Sequence, residues 1–154
     1  MVISGIRISM RLKERAALLE KTLLFINSMK LDFEYSALSL DLIIQKYAFD
    51  ELYFPMRFLK ICYEEMQNGT DFPIAWKNSL MCPSLYNEEE KSKLLALGEI
   101  LGTSNCQAQM NILNFYTVYF ENFNIKAKKN SEKYGETSIL TGIFLGIGLF
   151  VLLI

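Results

Sequence analysis

Apolar residues recur at helical spacing along almost the whole chain. Over about residues 5–34 they advance in alternating steps of four and three and form one heptad-like face: Leu12, Ala16, Leu19, Leu23 and Ile26. A second face with the same kind of steps lies later in the chain: Leu113, Tyr116, Phe120, Phe123 and Ala127. This spacing predicts a long first helix and a long sixth helix, which could pack antiparallel along the two faces.

Turn and capping signals predict three shorter helices after the first. The second covers about residues 38–48. The third has Pro55 in its first turn and stops at Asn68-Gly69. The fourth opens at residues 71–73, which include an aspartate and a proline, and closes at Cys82-Pro83.

The fifth and sixth helices have the clearest start signals. Asn87 can cap the fifth helix, which Gly102 ends. Ser104 and Gln107 form a capping box that starts the sixth. No strand alternation competes with these patterns, so the sequence predicts an all-α fold, a helical bundle of about six helices.

The end of the chain has a different composition. Residues 137–154 contain no charge, and Ile139 to Ile154 hold 12 Ile, Leu, Val or Phe, three Gly and one Thr. An 18-residue helix is about 27 Å long, close to the thickness of a bilayer's hydrocarbon core. We therefore expect a bundle over residues 1–136 and a transmembrane helix over 137–154. Gly142 and Gly146 have the spacing that allows close packing of membrane helices, although scattered lipid-facing glycines are an equal alternative.

Basic residues flank this apolar segment and predict its orientation. Four lysines precede it within residues 126–133, so the positive-inside rule places the N-terminal domain in the cytoplasm of a single-pass cell-membrane protein. A first membrane helix preceding Met1 would make it two-pass. The first helix carries a second basic cluster: Arg7, Arg11, Lys13 and Arg15. Antiparallel packing would bring both clusters to one end of the bundle, facing either anionic lipid headgroups or solvent.

Composition narrows the possible chemistry. The chain has no histidine, a net charge of −1 and three widely spaced cysteines, so imidazole catalysis, histidine metal sites and a basic nucleic-acid surface are excluded. It also lacks a Walker-type phosphate-binding loop, and nothing indicates a cofactor or a small-molecule substrate. These features favour an interaction protein over an enzyme.

A few residues stand out as candidates for interaction or packing. Arg11, Arg15 and Glu34 are the best electrostatic candidates for a partner interface, with an ordinary salt-bridged helix face as the alternative. We expect Gly98 and Gly102 to allow a close approach and a tight turn between the fifth and sixth helices, with a partner surface as the alternative. Gln109 is expected to be a packed hydrogen-bonding residue, and Trp76 a core anchor.

Four stretches in order resemble the stage III sporulation protein AB family of endospore-forming bacteria. They are Arg15 with Leu19 and Glu34-Tyr35, the segment 69–76 with its internal Trp76, the Gly- and Gln-containing segment 94–109, and residues 132–135 leading into the apolar tail.

The resemblance implies a membrane component of the complex that joins mother cell and forespore, on the mother-cell side. It also implies a soluble domain similar to the cytoplasmic domain of type II secretion and type IV pilus platform proteins. The implied partners are a secretion-type ATPase, stage III sporulation protein AA, and other stage III sporulation membrane proteins. A platform protein of another secretion system and a membrane-tethered regulator or enzyme are the alternatives.

The apolar tail generates a direct test. Replacing both Phe144 and Leu145 with Arg should release the chain from membranes, because each central Arg costs about 2.5–3.5 kcal/mol on insertion. The measurement is extraction of the membrane fraction with alkaline carbonate. A double variant that resists extraction as wild type does would contradict the predicted anchor.

Overall fold

A computed structural model describes residues 2–36, 38–101 and 106–152, with side chains described over 7–36, 38–101 and 110–133. Within these residues every regular element is helical. The α-helices are α1 (Val2–Leu31), α2 (Leu40–Ala48), α3 (Arg57–Gln67), α4 (Phe72–Leu80), α5 (Glu88–Leu101) and α6 (Cys106–Leu152). A π-helical turn covers Asp32–Ser36, and a 3-10 turn covers Glu51–Tyr53. The prediction of an all-α bundle of about six helices is confirmed for the described residues.

The helices α1 and α6 form the most extensive contact between elements. The two faces anticipated from the sequence line this contact: every member of the α6 face is buried, and on α1 only Leu12 and Leu23 are half-buried. The Lys128 Nζ lies 2.9 Å from Glu20 Oε2, and the Thr117 Oγ1 donates to Asn27 Oδ1 at 3.5 Å. Because the later α1 residue meets the earlier α6 residue, the helices run antiparallel.

The first helix does not remain α-helical to residue 34 as the sequence predicts. It ends at Leu31 and continues as the π-helical turn. Asp32 is buried there, and its carboxylate accepts hydrogen bonds from Lys46 Nζ at 2.8 Å and from the Tyr47 hydroxyl at 2.6 Å. These contacts hold the turn against α2.

The third helix also starts later than predicted. Residues 51–53 form a 3-10 turn, which the Asp50 carboxylate caps by accepting the Leu52 N–H at 2.9 Å. Pro55 follows this turn, and α3 begins at Arg57. The expectation that Pro55 occupies the first turn of α3 is therefore wrong, because the chain completes a separate turn first.

The start of α5 matches the sequence pattern closely. The Asn87 Oδ1 accepts the Glu90 N–H at 2.7 Å, and the Glu90 Oε2 accepts the Asn87 N–H at 2.8 Å. This reciprocal pair satisfies two backbone donors at the helix N-terminus. The capping box expected at Ser104 lies outside the described residues.

Trp76 lies at the centre of the core. Its ring is 1% exposed and contacts the rings of Phe25, Phe58 and Phe72. Its indole N–H donates to the backbone carbonyl of Leu94 on α5 at 2.7 Å. The indole can approach the α5 backbone because residue 98 is a glycine: a Cβ atom there would overlap the Trp76 ring.

The predicted membrane span, residues 137–154, lies beyond the side chains that the structure describes, although the α6 backbone continues as helix to Leu152. Within the part of the chain that is described, no helix combines the length and hydropathy that crossing a membrane requires.

The contact between Trp76 and Gly98 predicts that alanine at residue 98 destabilises the protein, although alanine normally favours a helix. Gly98→Ala should lower the free energy of unfolding by about 1–3 kcal/mol, because overpacking against the indole outweighs the higher helix propensity of alanine. Ser92→Ala, at an exposed position of the same helix, is the control and should leave stability unchanged or slightly raised. Chemical denaturation of both variants checks this, and a stabilised Gly98→Ala protein would contradict it.

Candidate partner-binding surface

Arg15 lies within the bundle as part of an ion pair. Its guanidinium forms a salt bridge with the carboxylate of Glu90, and the Nε to Oε2 distance is 3.4 Å. The Glu90 side chain is 1% exposed, and the Arg15 side chain is 25% exposed. Because Glu90 also caps α5, this pair attaches the N-terminus of α5 to α1, and Arg15 has a structural partner of its own.

Arg11 and Glu34 are both exposed, and the structure does not bring them together. Arg11 is on an early turn of α1, whereas Glu34 lies in the π-helical turn beyond the end of that helix. At 1.5 Å per residue they are separated by about 35 Å along the chain. Of the three candidates for a partner interface, Arg11 and Glu34 are therefore exposed side chains toward opposite ends of the first helix, and Arg15 is held in an ion pair with Glu90.

The anticipated packing residues are only partly described. Gly98 lies in α5 against Trp76 of α4, so its close approach is to α4. Gly102 lies outside the described residues. Gln109, Gly142 and Gly146 belong to the α6 backbone, but their side-chain surroundings lie outside the described set.

An exposed apolar surface lies between α2 and α3, and the helical spacing of apolar residues in the sequence does not indicate it. Phe49, Leu52 and Phe54 are 61%, 44% and 75% exposed, and two acidic residues, Asp50 and Glu51, stand among them. We call residues 49–54 the aromatic turn. The Phe49 ring packs edge-on against Tyr63 at 5.3 Å, which supports its outward position. The sequence does contain an indication of this surface, because three large apolar residues stand close to a proline in a segment without helical periodicity.

The buried and half-buried polar groups offer little for catalysis. Burial raises the pKa of the Cys62 thiol to about 12, so that thiol stays protonated at neutral pH. Among the described residues, no group of three or more acidic or cysteine side chains could hold a metal ion. A cavity of about 530 Å³ lies between α1, the start of α3 and the segment before α5, with a mainly apolar lining that includes Leu18, Phe58 and Tyr86.

These features define a class: a helical bundle protein whose described surface carries a patch of exposed aromatic side chains. The family model of stage III sporulation protein AB (spore_III_AB) matches residues 1–154, the whole chain, so the chain belongs to this family. The resemblance noted from the sequence is thereby confirmed, and with it a role in sporulation. No curated protein and no solved structure matches the chain significantly.

The ion pair between α1 and α5 generates a stability prediction. Arg15→Ala should lower the free energy of unfolding by about 3 kcal/mol, because the buried Glu90 carboxylate loses its cationic partner. Arg11→Ala removes the same charge from an exposed position of the same helix and should change stability by less than about 0.5 kcal/mol. Thermal or urea unfolding distinguishes them, and equal stabilities would show that the pair has no structural role.

Proposed function

We propose that this chain is a membrane-anchored adaptor of the stage III sporulation machinery, which presents its helical bundle to a cytoplasmic secretion-type ATPase, stage III sporulation protein AA. The observation that carries the proposal is the exposed aromatic turn on a chain that belongs to this family. Membership of the family indicates that the chain acts in sporulation. The aromatic turn offers exposed side chains of the kind that are common in protein interfaces. The other stage III sporulation membrane proteins are further partners in the proposal.

The anchor in this proposal is the C-terminal apolar segment. Residues 137–154 are uncharged, and lysines at 126, 128, 129 and 133 precede them. This pattern supports a single span with the bundle on the cytoplasmic, mother-cell side. The α6 backbone runs from the bundle into this segment as one helix, which supports a direct connection between the two.

The aromatic turn has the composition of an interface centre. Aromatic side chains contribute large contact areas with few rotatable bonds, and they dominate the energies of many protein interfaces. Asp50 and Glu51 place negative charge beside the apolar side chains. We therefore expect the complementary surface of the ATPase to have an apolar centre with basic residues at its rim.

The position of the turn also supports a cytoplasmic contact. Tyr53, the inward-facing residue of the turn, has its hydroxyl 3.1 Å from Ser28 Oγ in the last turns of α1. Ser28 lies 17 positions beyond Arg11 on the same helix, a separation of about 26 Å. The turn therefore stands well away from the end of the bundle that precedes the apolar segment.

The proposal predicts that the aromatic turn contributes to ATPase binding. Phe49→Ser/Phe54→Ser should weaken the affinity of the detergent-solubilised full chain for the purified ATPase at least about tenfold, because two aromatic contacts are lost. Both side chains are more than half exposed, so helix content should not change. The measurements are the Kd by biolayer interferometry and the circular dichroism spectrum.

The matched control is Ile74→Ser/Met81→Ser, which removes two comparably exposed apolar side chains from α4 and just beyond its end. This control should bind as wild type does. Equal binding by all three proteins would exclude the aromatic turn as the contact, and no binding by wild type would contradict the adaptor role itself.

A further inference from the structure

The outer face of α6 carries a second row of large apolar side chains. Phe115, Val118 and Ile125 are 57%, 56% and 52% exposed, and Asn122 stands exposed between the last two. These four residues, which we call the outer seam, advance in steps of three, four and three. The seam lies opposite the face that centres on Phe120 and packs against α1, so the bundle leaves it open.

The spacing of the outer seam is that of a coiled coil. In the heptad repeat abcdefg, Phe115 and Asn122 occupy a positions, and Val118 and Ile125 occupy d positions. Such a face is covered when a second helix with the same repeat packs along it. A second copy of α6 provides a helix with identical spacing.

The charged residues beside the seam indicate the partner and its direction. Glu121 occupies a g position and Lys126 the e position five residues later, and both are exposed. Within the described residues neither side chain forms an ion pair. In a parallel pair of helices, the g position of one helix faces the following e position of the other. Glu121 of each copy would therefore face Lys126 of the other copy, which gives two equivalent ion pairs.

An antiparallel pair centred on the seam lacks this complementarity, because it brings the two Glu121 side chains close together. Asn122 also favours the parallel arrangement, in which it lies level with Asn122 of the other copy and the two amides can form a hydrogen bond. The seam is bounded by Asn111 and Lys129, the next positions of the repeat on either side. A lysine at an a position is compatible with a parallel pair at a cost in stability. The apolar part of the contact is therefore short, and we expect a reversible association.

We infer that two copies of this chain associate in parallel through their outer seams. Any apolar helix would cover the seam, but only a partner with the same two charges in register would pair both Glu121 and Lys126. A second copy meets this requirement by its own sequence. The inference goes beyond the adaptor proposal and depends neither on the ATPase nor on the aromatic turn.

The test is sedimentation equilibrium of the full chain in density-matched detergent micelles, where wild type should show a reversible monomer–dimer equilibrium. Val118→Gln/Ile125→Gln should raise the dimer Kd at least about tenfold, because each chain loses two apolar contacts of the seam. The control is Leu31→Gln/Leu42→Gln, which changes two comparably exposed apolar residues of α1 and α2. The control should leave the Kd as in wild type.

An exchange of charges tests the parallel register. Glu121→Lys should raise the Kd by about fivefold, because it places like charges opposite each other at two positions. Glu121→Lys/Lys126→Glu should return the Kd to within about twofold of wild type, since the exchange restores both ion pairs with their signs reversed. Both side chains are exposed, so circular dichroism should show the same helix content in all variants.

Three outcomes would overturn the inference: a wild-type chain that stays monomeric, equal Kd changes in the seam and control variants, or a charge exchange that does not recover the affinity. The adaptor proposal would survive each of them, because ATPase binding is measured separately.

Discussion

The antiparallel contact between α1 and α6 is the constraint on which the remaining structure depends. Helices of 9 to 14 residues, the length of α2 through α5, are marginal on their own in water. They persist because α1 offers them a second apolar face, where Phe25 meets the rings of Tyr47, Tyr53 and Trp76. The helices α1 and α6 thus provide the surface on which the four short helices pack to complete the core.

Polar contacts fix how the short helices attach to α1. Glu90 holds α5 through Arg15, the Tyr86 hydroxyl lies 2.6 Å from Thr22 Oγ1, and Asp32 holds α2 through Lys46 and Tyr47. Burial is the main cause that raises the pKa values of Tyr86 and Tyr47, so both hydroxyls keep their protons for these bonds at neutral pH. Apolar burial alone would allow several arrangements, whereas these directional bonds favour one.

The parts of the fold that could be predicted from the sequence are those set by helical periodicity or by residues close together in the chain. The α1 and α6 faces follow from helical period, and the Asn87 cap requires only residues three apart. The Arg15–Glu90 pair joins residues 75 positions apart, which no single-sequence pattern reports. The aromatic turn could not be predicted for a different reason. Around a short 3-10 turn the spacing of apolar residues follows no helical period, so it does not indicate that Tyr53 faces inward while Phe49 and Phe54 face outward.

The shape of α6 connects the bundle that carries the aromatic turn to the apolar segment. No glycine or proline occurs between residues 106 and 134 of α6, so the part of this helix that packs against α1 lacks these causes of a kink, and Gly135 stands between that part and the apolar segment. In the proposed adaptor, α1 and α6 together hold the aromatic turn away from the apolar segment. Such an adaptor would position its partner by distance and orientation. In that case the length of the α1–α6 contact, and not any reactive group, is the property that its function requires.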